Sequence, residues 1–147
     1  MTARGPLAAA VAVGVGVAVL ALWPRTSQTP EDRVRAVVAR CVAGAERRDV
    51  SAITEAIDES FRGAQAASRD EVKALLLGVL LRSGTAPVVL NPSLDVTVDA
   101  PGKATVRGTF VFARGGEGEG ASRYQLDARL EERGGDWRFV WADWRAY

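Results

Sequence analysis

The amino-acid sequence predicts an α+β protein in which an N-terminal transmembrane helix precedes three helices packed on a curved four-stranded antiparallel sheet. Three observations lead to this prediction. Residues 7–23 carry no charge. Apolar residues between Val34 and Leu80 recur at the spacing of amphipathic helices. After Pro87, apolar and polar residues alternate, as they do in strands that bury one face. Helices followed by consecutive strands are typical of the α+β class.

The uncharged segment Leu7–Trp23 reads LAAAVAVGVGVAVLALW. Its length lies at the short end for a spanning helix and is slightly long for the apolar core of a cleaved signal. Arg4 precedes the segment, which predicts a cytoplasmic N-terminus and a domain outside the cytoplasm. We therefore expect a single-pass signal anchor. A cleaved signal and a secreted domain are the alternative that the sequence leaves open.

The expected organisation is an anchor in residues 1–24, a linker in residues 25–30 and one domain in residues 31–147. The chain has 19 basic and 18 acidic residues, and only Arg4 precedes the apolar segment. The remainder therefore has 18 of each, is neutral and lacks the excess positive charge that nucleic acid binding requires. The chain has no histidine and one cysteine, which excludes histidine-dependent catalysis and an internal disulfide. We expect no metal, no cofactor and no nucleic acid.

Two helices are expected directly after the linker. The first covers residues 30–48, with Thr29 as its cap and an apolar stripe that includes a buried, inert Cys41 thiol. A disulfide between protomers is the alternative for that thiol. The second helix is shorter and is expected to end at Gly63. It has Asp49 or Ser51 as its cap and Ile53, Ala56, Ile57 and Phe61 on its inward side.

A third helix and four strands complete the predicted domain. Ser68 and Glu71 form a capping box that begins the helix, and Gly84 ends it. Turns between the strands are predicted at Pro101-Gly102, in the GGEGEG run of residues 115–120 and at Gly134-Gly135. By strand parity, the inward side of the last strand is expected to carry Trp137, Phe139, Trp141 and Asp143.

Three stretches of the domain resemble the NTF2-like (SnoaL-like, cystatin-like) superfamily. They are RRDVSAITEAIDESFRG at Arg47–Gly63, SRDEVKALL at Ser68–Leu76 and GGDWRFVWADWR at Gly134–Arg145. The resemblance implies a cone-shaped half-barrel with helices in the concave face of the sheet and often a pocket between them. Members include isomerases, dehydratases, ligand binders and domains of membrane-anchored assemblies, so the fold alone leaves the function open.

Enzymes of this superfamily place an aspartate inside the cone, often beside a tyrosine or an arginine. By this resemblance, the candidate catalytic residues are Asp143, Arg145 and Tyr124 at the mouth of the cone. The alternative is that the strand frays at the chain end and that these residues are solvated or paired structurally. The expected pocket is lined by Trp137, Phe139, Trp141, Leu76 and Tyr124.

The outer face of the predicted sheet is mixed and polar, and an interface is expected there at Arg107, Arg123, Arg129 and Trp144. We expect a non-catalytic, membrane-anchored domain that mediates protein–protein interaction or assembly outside the cytoplasm, with another protein or a second copy as partner. The alternative is a binder of a small hydrophobic molecule, or an isomerase-like or dehydratase-like enzyme, that uses the pocket of the cone. A cone filled by its own side chains favours the first interpretation, and an open cavity favours the second.

Overall fold

A computed structural model describes residues 28–82, 87–114 and 121–147. Helices α1 (Pro30–Glu46) and α2 (Val50–Glu55) come first, and strand β1 (Ile57–Gly63) and helix α3 (Arg69–Arg82) follow. The remaining strands are β2 (Pro87–Ala100), β3 (Lys103–Arg114), β4 (Ser122–Arg133) and β5 (Asp136–Ala146). They form one sheet in the order β1-β5-β4-β3-β2. Strand β1 runs parallel to β5 and every other pair is antiparallel. The α+β class and the three helices are confirmed, but the described sheet has five strands instead of the predicted four.

Strand β1 occupies sequence that was predicted to continue the second helix. The Asp49 side chain caps α2 by accepting a hydrogen bond from the backbone of Ala52 at 3.1 Å, and the helix ends after six residues. Strand β1 then pairs with β5. Ile57 and Phe61 are four residues apart, a spacing that places two side chains on one side of either a helix or a strand. Pairing β1 with β5 satisfies backbone groups along that edge, and this tertiary contribution decides between the two.

Local sequence signals set the beginnings of the two longer helices as predicted. Thr29 and Asp32 form a capping box, in which each backbone N–H donates to the other side chain. The backbone of Glu71 likewise donates to the Ser68 hydroxyl at 3.2 Å, and the Glu71 carboxylate accepts from the backbone of Ala67 at 2.6 Å. These bonds satisfy amides that a helix leaves unpaired at its first turn. The predicted end of the third helix at Gly84 lies outside the described residues.

The core lies between the helices and the concave side of the sheet. Among its largest fully buried side chains are Phe61 of β1, Leu130 of β4, Val34 of α1 and Val106 of β3. On β2, β3 and β4, the residues that point toward the helices are those that the alternation predicted. We call this side of the sheet the inner face. The opposite side is the outer face, and its residues on β3 and β4 include Thr105, Arg107, Thr109, Arg123, Gln125, Asp127 and Arg129.

A β-bulge in β5 overturns the predicted parity of the last strand. Leu130 pairs with Phe139 and Arg129 pairs with Trp141, so Val140 has no partner on β4. An extra residue in one strand reverses the direction of every side chain beyond it. Trp137 and Phe139 therefore point to the inner face as predicted. Beyond the bulge, Trp141, Asp143 and Arg145 belong to the outer face, and Ala142 and Trp144 point inward.

The predicted membrane segment, residues 7–23, lies outside the described residues, as does the GGEGEG run. Within residues 28–82, 87–114 and 121–147, no helix is both long and apolar enough to cross a bilayer.

Candidate functional site

The structure separates the three residues predicted to form a catalytic cluster. Asp143 and Arg145 lie on the outer face, because both follow the bulge in β5. Tyr124 lies on the inner face of β4, where its ring packs edge-on against Phe112 with the ring centroids 5.7 Å apart. The cluster was predicted from a parity that the bulge interrupts. The prediction that these residues meet inside the cone is therefore wrong.

Asp143 is nearly buried on the outer face and is held by two neighbours. Its carboxylate accepts a hydrogen bond from the Gln65 amide at 2.6 Å and a charged hydrogen bond from Arg145 at 2.8 Å. The carbonyl oxygen of the same Gln65 amide accepts from the backbone of Trp144 at 3.0 Å. The Gln65 side chain thus continues the pairing of β5 just beyond the end of β1. No sequence motif indicates this role, because Gln65 lies in an irregular segment between a strand and a helix.

These hydrogen bonds determine the protonation state of Asp143. The bond from Gln65 and the bond and charge of Arg145 hold the pKa of the carboxyl below its ordinary value of 3.8, against an opposing contribution from burial. A general base inside a cone needs a desolvated carboxylate with a raised pKa. Asp143 instead has the features of a structural carboxylate that is ionised at neutral pH.

The pH dependence of stability should show this structural role. Because the folded pKa is depressed, ionised Asp143 stabilises the fold above the unfolded pKa, and this contribution is lost as the pH falls through the folded value. We expect Asp143→Asn to be less stable than wild type near neutral pH, and this difference to shrink as the pH falls below the ordinary value of 3.8. Urea unfolding of both proteins over a series of pH values measures this.

Asp95→Asn is the matched control, because Asp95 is an exposed carboxylate on β2. This change should cost less stability at neutral pH. Equal losses for the two variants would contradict a specific structural role for Asp143.

Three of the residues predicted to line a pocket belong to the core or pack against it. Trp137 is buried, and Phe139 and Leu76 are half-buried and pack against the core. Trp141 points to the outer face and does not contribute. The residues that point inward are all apolar or aromatic along the central parts of the strands. These parts are residues 94–98 of β2, 104–112 of β3, 124–130 of β4 and 137–144 of β5, in which the intervening residues point outward.

Cys41 of α1 is a free thiol and is half-buried, not fully buried as expected. Burial raises the pKa of its thiol to about 11, and the nearby charge of Arg40 lowers it to a smaller extent. The thiol is therefore protonated at neutral pH and is a poor nucleophile.

A cleft of about 470 Å³ opens at the end of the cone where the β2–β3 and β4–β5 turns lie. The N-terminal turn of α1 forms its other wall. Arg33 and Glu132 are the charged groups at its rim, with their nearest charged atoms 3.6 Å apart. The Arg33 Nε and Trp137 Nε1 atoms have no hydrogen-bond partner among the described residues, but both are buried beneath the surface. The cleft is large enough for a small molecule, yet its polar contacts are at the rim.

The outer face carries the predicted interface residues with one exception. Arg107 forms a 3.0 Å ion pair with Asp127, and the Arg129 guanidinium lies 5.1 Å from the centre of the Trp141 ring. Arg123 is exposed on the same face. Trp144, which was predicted to be exposed, is half-buried and packs against the core, because the bulge turns it inward.

Within the described part of the chain, no three His, Cys, Asp or Glu side chains are grouped so that they could hold a metal ion.

Large apolar side chains are exposed at Leu75 and Val79 of α3 and at Val88 and Leu90 of β2.

Comparison with known proteins identifies the fold. No family model matches the sequence, and no curated protein matches it. An NTF2-like protein of unknown function from Pseudomonas putida KT2440 superposes with a TM-score of 0.71 at 15% identity, over 80% of this chain and 86% of that one. A cystatin-like protein of unknown function from Nostoc punctiforme gives a TM-score of 0.67 at 12% identity, over 81% and 93%. A hexachlorocyclohexane dehydrochlorinase from Novosphingobium barchaimii gives 0.65 at 12%, over 78% and 84%.

The described domain therefore has the NTF2-like, cystatin-like fold that the sequence predicted. Neighbours of this fold include both a dehydrochlorinase and proteins of unknown function. At these identities the likeness concerns the fold, so a function has to be argued from the side chains of this chain.

Proposed function

We propose that this chain is a non-catalytic NTF2-like domain that is held at a membrane by residues 7–23 and binds a protein partner outside the cytoplasm. The observation that supports a non-catalytic role is where the polar groups lie. The inner face is apolar along the central parts of its strands, and the nearly buried carboxylate of Asp143 lies on the outer face. Catalysis inside a cone requires an acid or a base beside the substrate. Among the described residues, the central inner face of the sheet offers neither.

The outer face supports partner binding. Its centre presents Trp141 with Arg129 against it and Arg107 nearby. Tryptophan and arginine are enriched among the residues that dominate the binding energy of protein interfaces. We therefore take the outer face as the interface and the cone as its rigid support.

Deletion of residues 2–24 tests whether the apolar segment holds the chain at a membrane. The uncharged run in residues 7–23 supplies the apolar length for a spanning helix. We expect the full chain to remain with membranes after washing with alkaline carbonate and the deletion variant to move to the soluble fraction. Fractionation with an antibody against the domain measures this.

Orientation is tested on intact cells with Ser122→Cys in a Cys41→Ala background, since Ser122 is exposed at the beginning of β4. A membrane-impermeant maleimide should label the added thiol without lysis. Labelling that requires lysis would contradict a domain outside the cytoplasm. A mature N-terminus beyond residue 19, determined by mass spectrometry, would instead indicate the cleaved, secreted form.

Partner binding makes a prediction for two sets of variants. Full-length protein is cross-linked in cells and purified with its partners. We expect a double variant on the outer face, which carries both Arg129→Gln and Trp141→Ala, to lose a stoichiometric partner. Tyr124→Phe on the inner face should retain it. A partner that is retained by the outer-face variant, or lost equally by both, would contradict the proposed interface.

The second candidate function is small-molecule binding in the cleft at the turn end of the cone. Its volume of about 470 Å³ supports this alternative. Glu132 would be its acidic group and Arg33 its cation, and a lyase-like reaction would need one of them to exchange protons with a substrate. The Glu132 carboxylate already has Arg33 as its ion-pair partner at 3.6 Å, and we therefore rank this function second.

A further inference from the structure

Three side chains form a row across neighbouring strands of the outer face. Arg62 of β1 pairs with Trp141 of β5, and Trp141 pairs with Arg129 of β4. Paired residues of neighbouring strands point to the same face. The indole therefore lies between two arginines, and the Arg129 guanidinium is over its ring at 5.1 Å.

The charges of the outer face are unequally compensated. Asp127 is paired with Arg107 at 3.0 Å, and Asp143 with Arg145 at 2.8 Å. In contrast, Arg62, Arg123 and Arg129 are exposed and form no ion pair within the described residues. The row itself thus carries two positive charges without an ion-pair partner among the described residues, while the same face also carries the exposed carboxylates of Asp95 and Asp99 on β2.

A hollow of about 180 Å³ lies beside the row. It is lined by residues of three neighbouring strands, Thr105 and Arg107 of β3, Asp127, Ala128 and Arg129 of β4 and Trp141 of β5. A hollow with one aromatic wall and a charged rim can receive an apolar side chain and place charged neighbours of that side chain at its edge.

We propose that the outer face binds an acidic, extended peptide segment of the partner, with its carboxylates on Arg62 and Arg129 and an apolar side chain between them against Trp141. This inference rests on the proposed function and names the chemistry of the partner. Guanidinium groups match carboxylates in geometry and charge. A second copy docked through the same face about a twofold axis near Trp141 would bring the arginines of the two rows against each other, and like charges in an interface oppose association.

The spacing of the strands suggests a minimal ligand. Strands lie about 4.8 Å apart, so the backbones at Arg62 and Arg129, two strands apart, are separated by about 10 Å. In an extended peptide, alternate side chains share one side and rise about 3.3 Å per residue. Acidic residues at positions one and five, with an apolar residue at position three, therefore share one side and are about 13 Å apart, a span that the long side chains of glutamate and arginine can adjust to the row. The capped peptide Ac-Glu-Gly-Leu-Gly-Glu-NH2 has this pattern.

The test is a calorimetric titration of the full chain in non-ionic detergent with this peptide. The matched ligand is Ac-Gln-Gly-Leu-Gly-Gln-NH2, which has the same shape without charge. We expect saturable binding of the acidic peptide that weakens with added salt, and binding about fivefold or more weaker for Arg62→Gln and for Arg129→Gln. Arg40→Gln removes the same charge from α1, on the other side of the sheet, and should bind as wild type does.

Equal binding of the neutral peptide would overturn the proposal, and so would unchanged affinity in Arg62→Gln and Arg129→Gln. Binding of glycerol phosphate in place of the peptide, with the same dependence on the two arginines, would also overturn it and assign the face to lipid headgroups. Failure of the proposed function would be seen in a different experiment. In that case the cross-linked partner would be retained by the outer-face variant.

Discussion

Phe61→Ala should lower the free energy of unfolding by about 3–5 kcal/mol, the usual cost of removing a buried aromatic side chain. Phe61 is 1% exposed and is one of the largest fully buried side chains of the described core. Its removal leaves a cavity between β1 and the helices as well as losing apolar contacts. A loss of this size is a large fraction of the total stability of a small domain. Urea denaturation followed by tryptophan fluorescence measures it.

Two further variants keep this prediction testable if Phe61→Ala does not fold. Phe61→Leu retains much of the buried volume and should lose about 1–2 kcal/mol. Phe112→Ala removes the same side chain from a half-buried position on β3 and should cost less than Phe61→Ala. Equal losses for the two alanine variants would contradict the position of Phe61 at the centre of the core.

Local signals in the sequence were sufficient for much of this fold. The capping residues Thr29 and Ser68 act through bonds to residues three positions away, so a short stretch contains the whole interaction. The alternation in β2, β3 and β4 likewise follows from one buried face. Strand β1 could not be predicted in this way. It pairs with β5, more than seventy residues later in the chain, and a short stretch around Ile57 contains no information about that pairing.

The candidate site depended on a single residue that the alternation does not reveal. Val140 is apolar and is flanked by aromatic residues, so the pattern around it is compatible with an uninterrupted strand. The register with β4 shows that it forms a bulge. As a consequence, the side chains of four residues lie on the face opposite to the one predicted, namely Trp141, Asp143, Trp144 and Arg145. The bulge also brings Trp141 onto the face of Arg129, which creates the surface that we propose as the interface.

The polar contacts of this sheet therefore lie on the face opposite to the one where enzymes of this fold would place a reaction. A cone of this architecture can house a reaction when polar groups converge inside it, and in this domain the central inner face is apolar. The same sheet has its ion pairs and its arginine–tryptophan contact on the outer face. A rigid, filled cone would hold that face in a fixed shape, which lowers the entropy lost when a partner binds.

Gly63→Ala should lower the free energy of unfolding by about 2–3 kcal/mol, because the added methyl group has no space. A Cβ atom at this position would lie 2.9 Å from the backbone oxygens of Ala142 and Ala66 and 2.9 Å from the Phe61 ring. Two of these three neighbours are backbone atoms and cannot rotate away. Relief would require β1 to move from β5, which stretches the 3.1 Å hydrogen bond from the Ala64 N–H to the Ala142 oxygen.

Gly78→Ala is the matched control and should have the opposite sign. Gly78 lies within α3, and a Cβ atom there would meet nothing within 4 Å. Alanine favours the helix and restricts the unfolded chain, so this variant should gain about 0.5–1 kcal/mol. The two variants add the same methyl group, so a difference in sign isolates the packing around Gly63. If both were stabilising, β1 would not lie against β5, because a helix through residues 57–63 would favour alanine at either glycine.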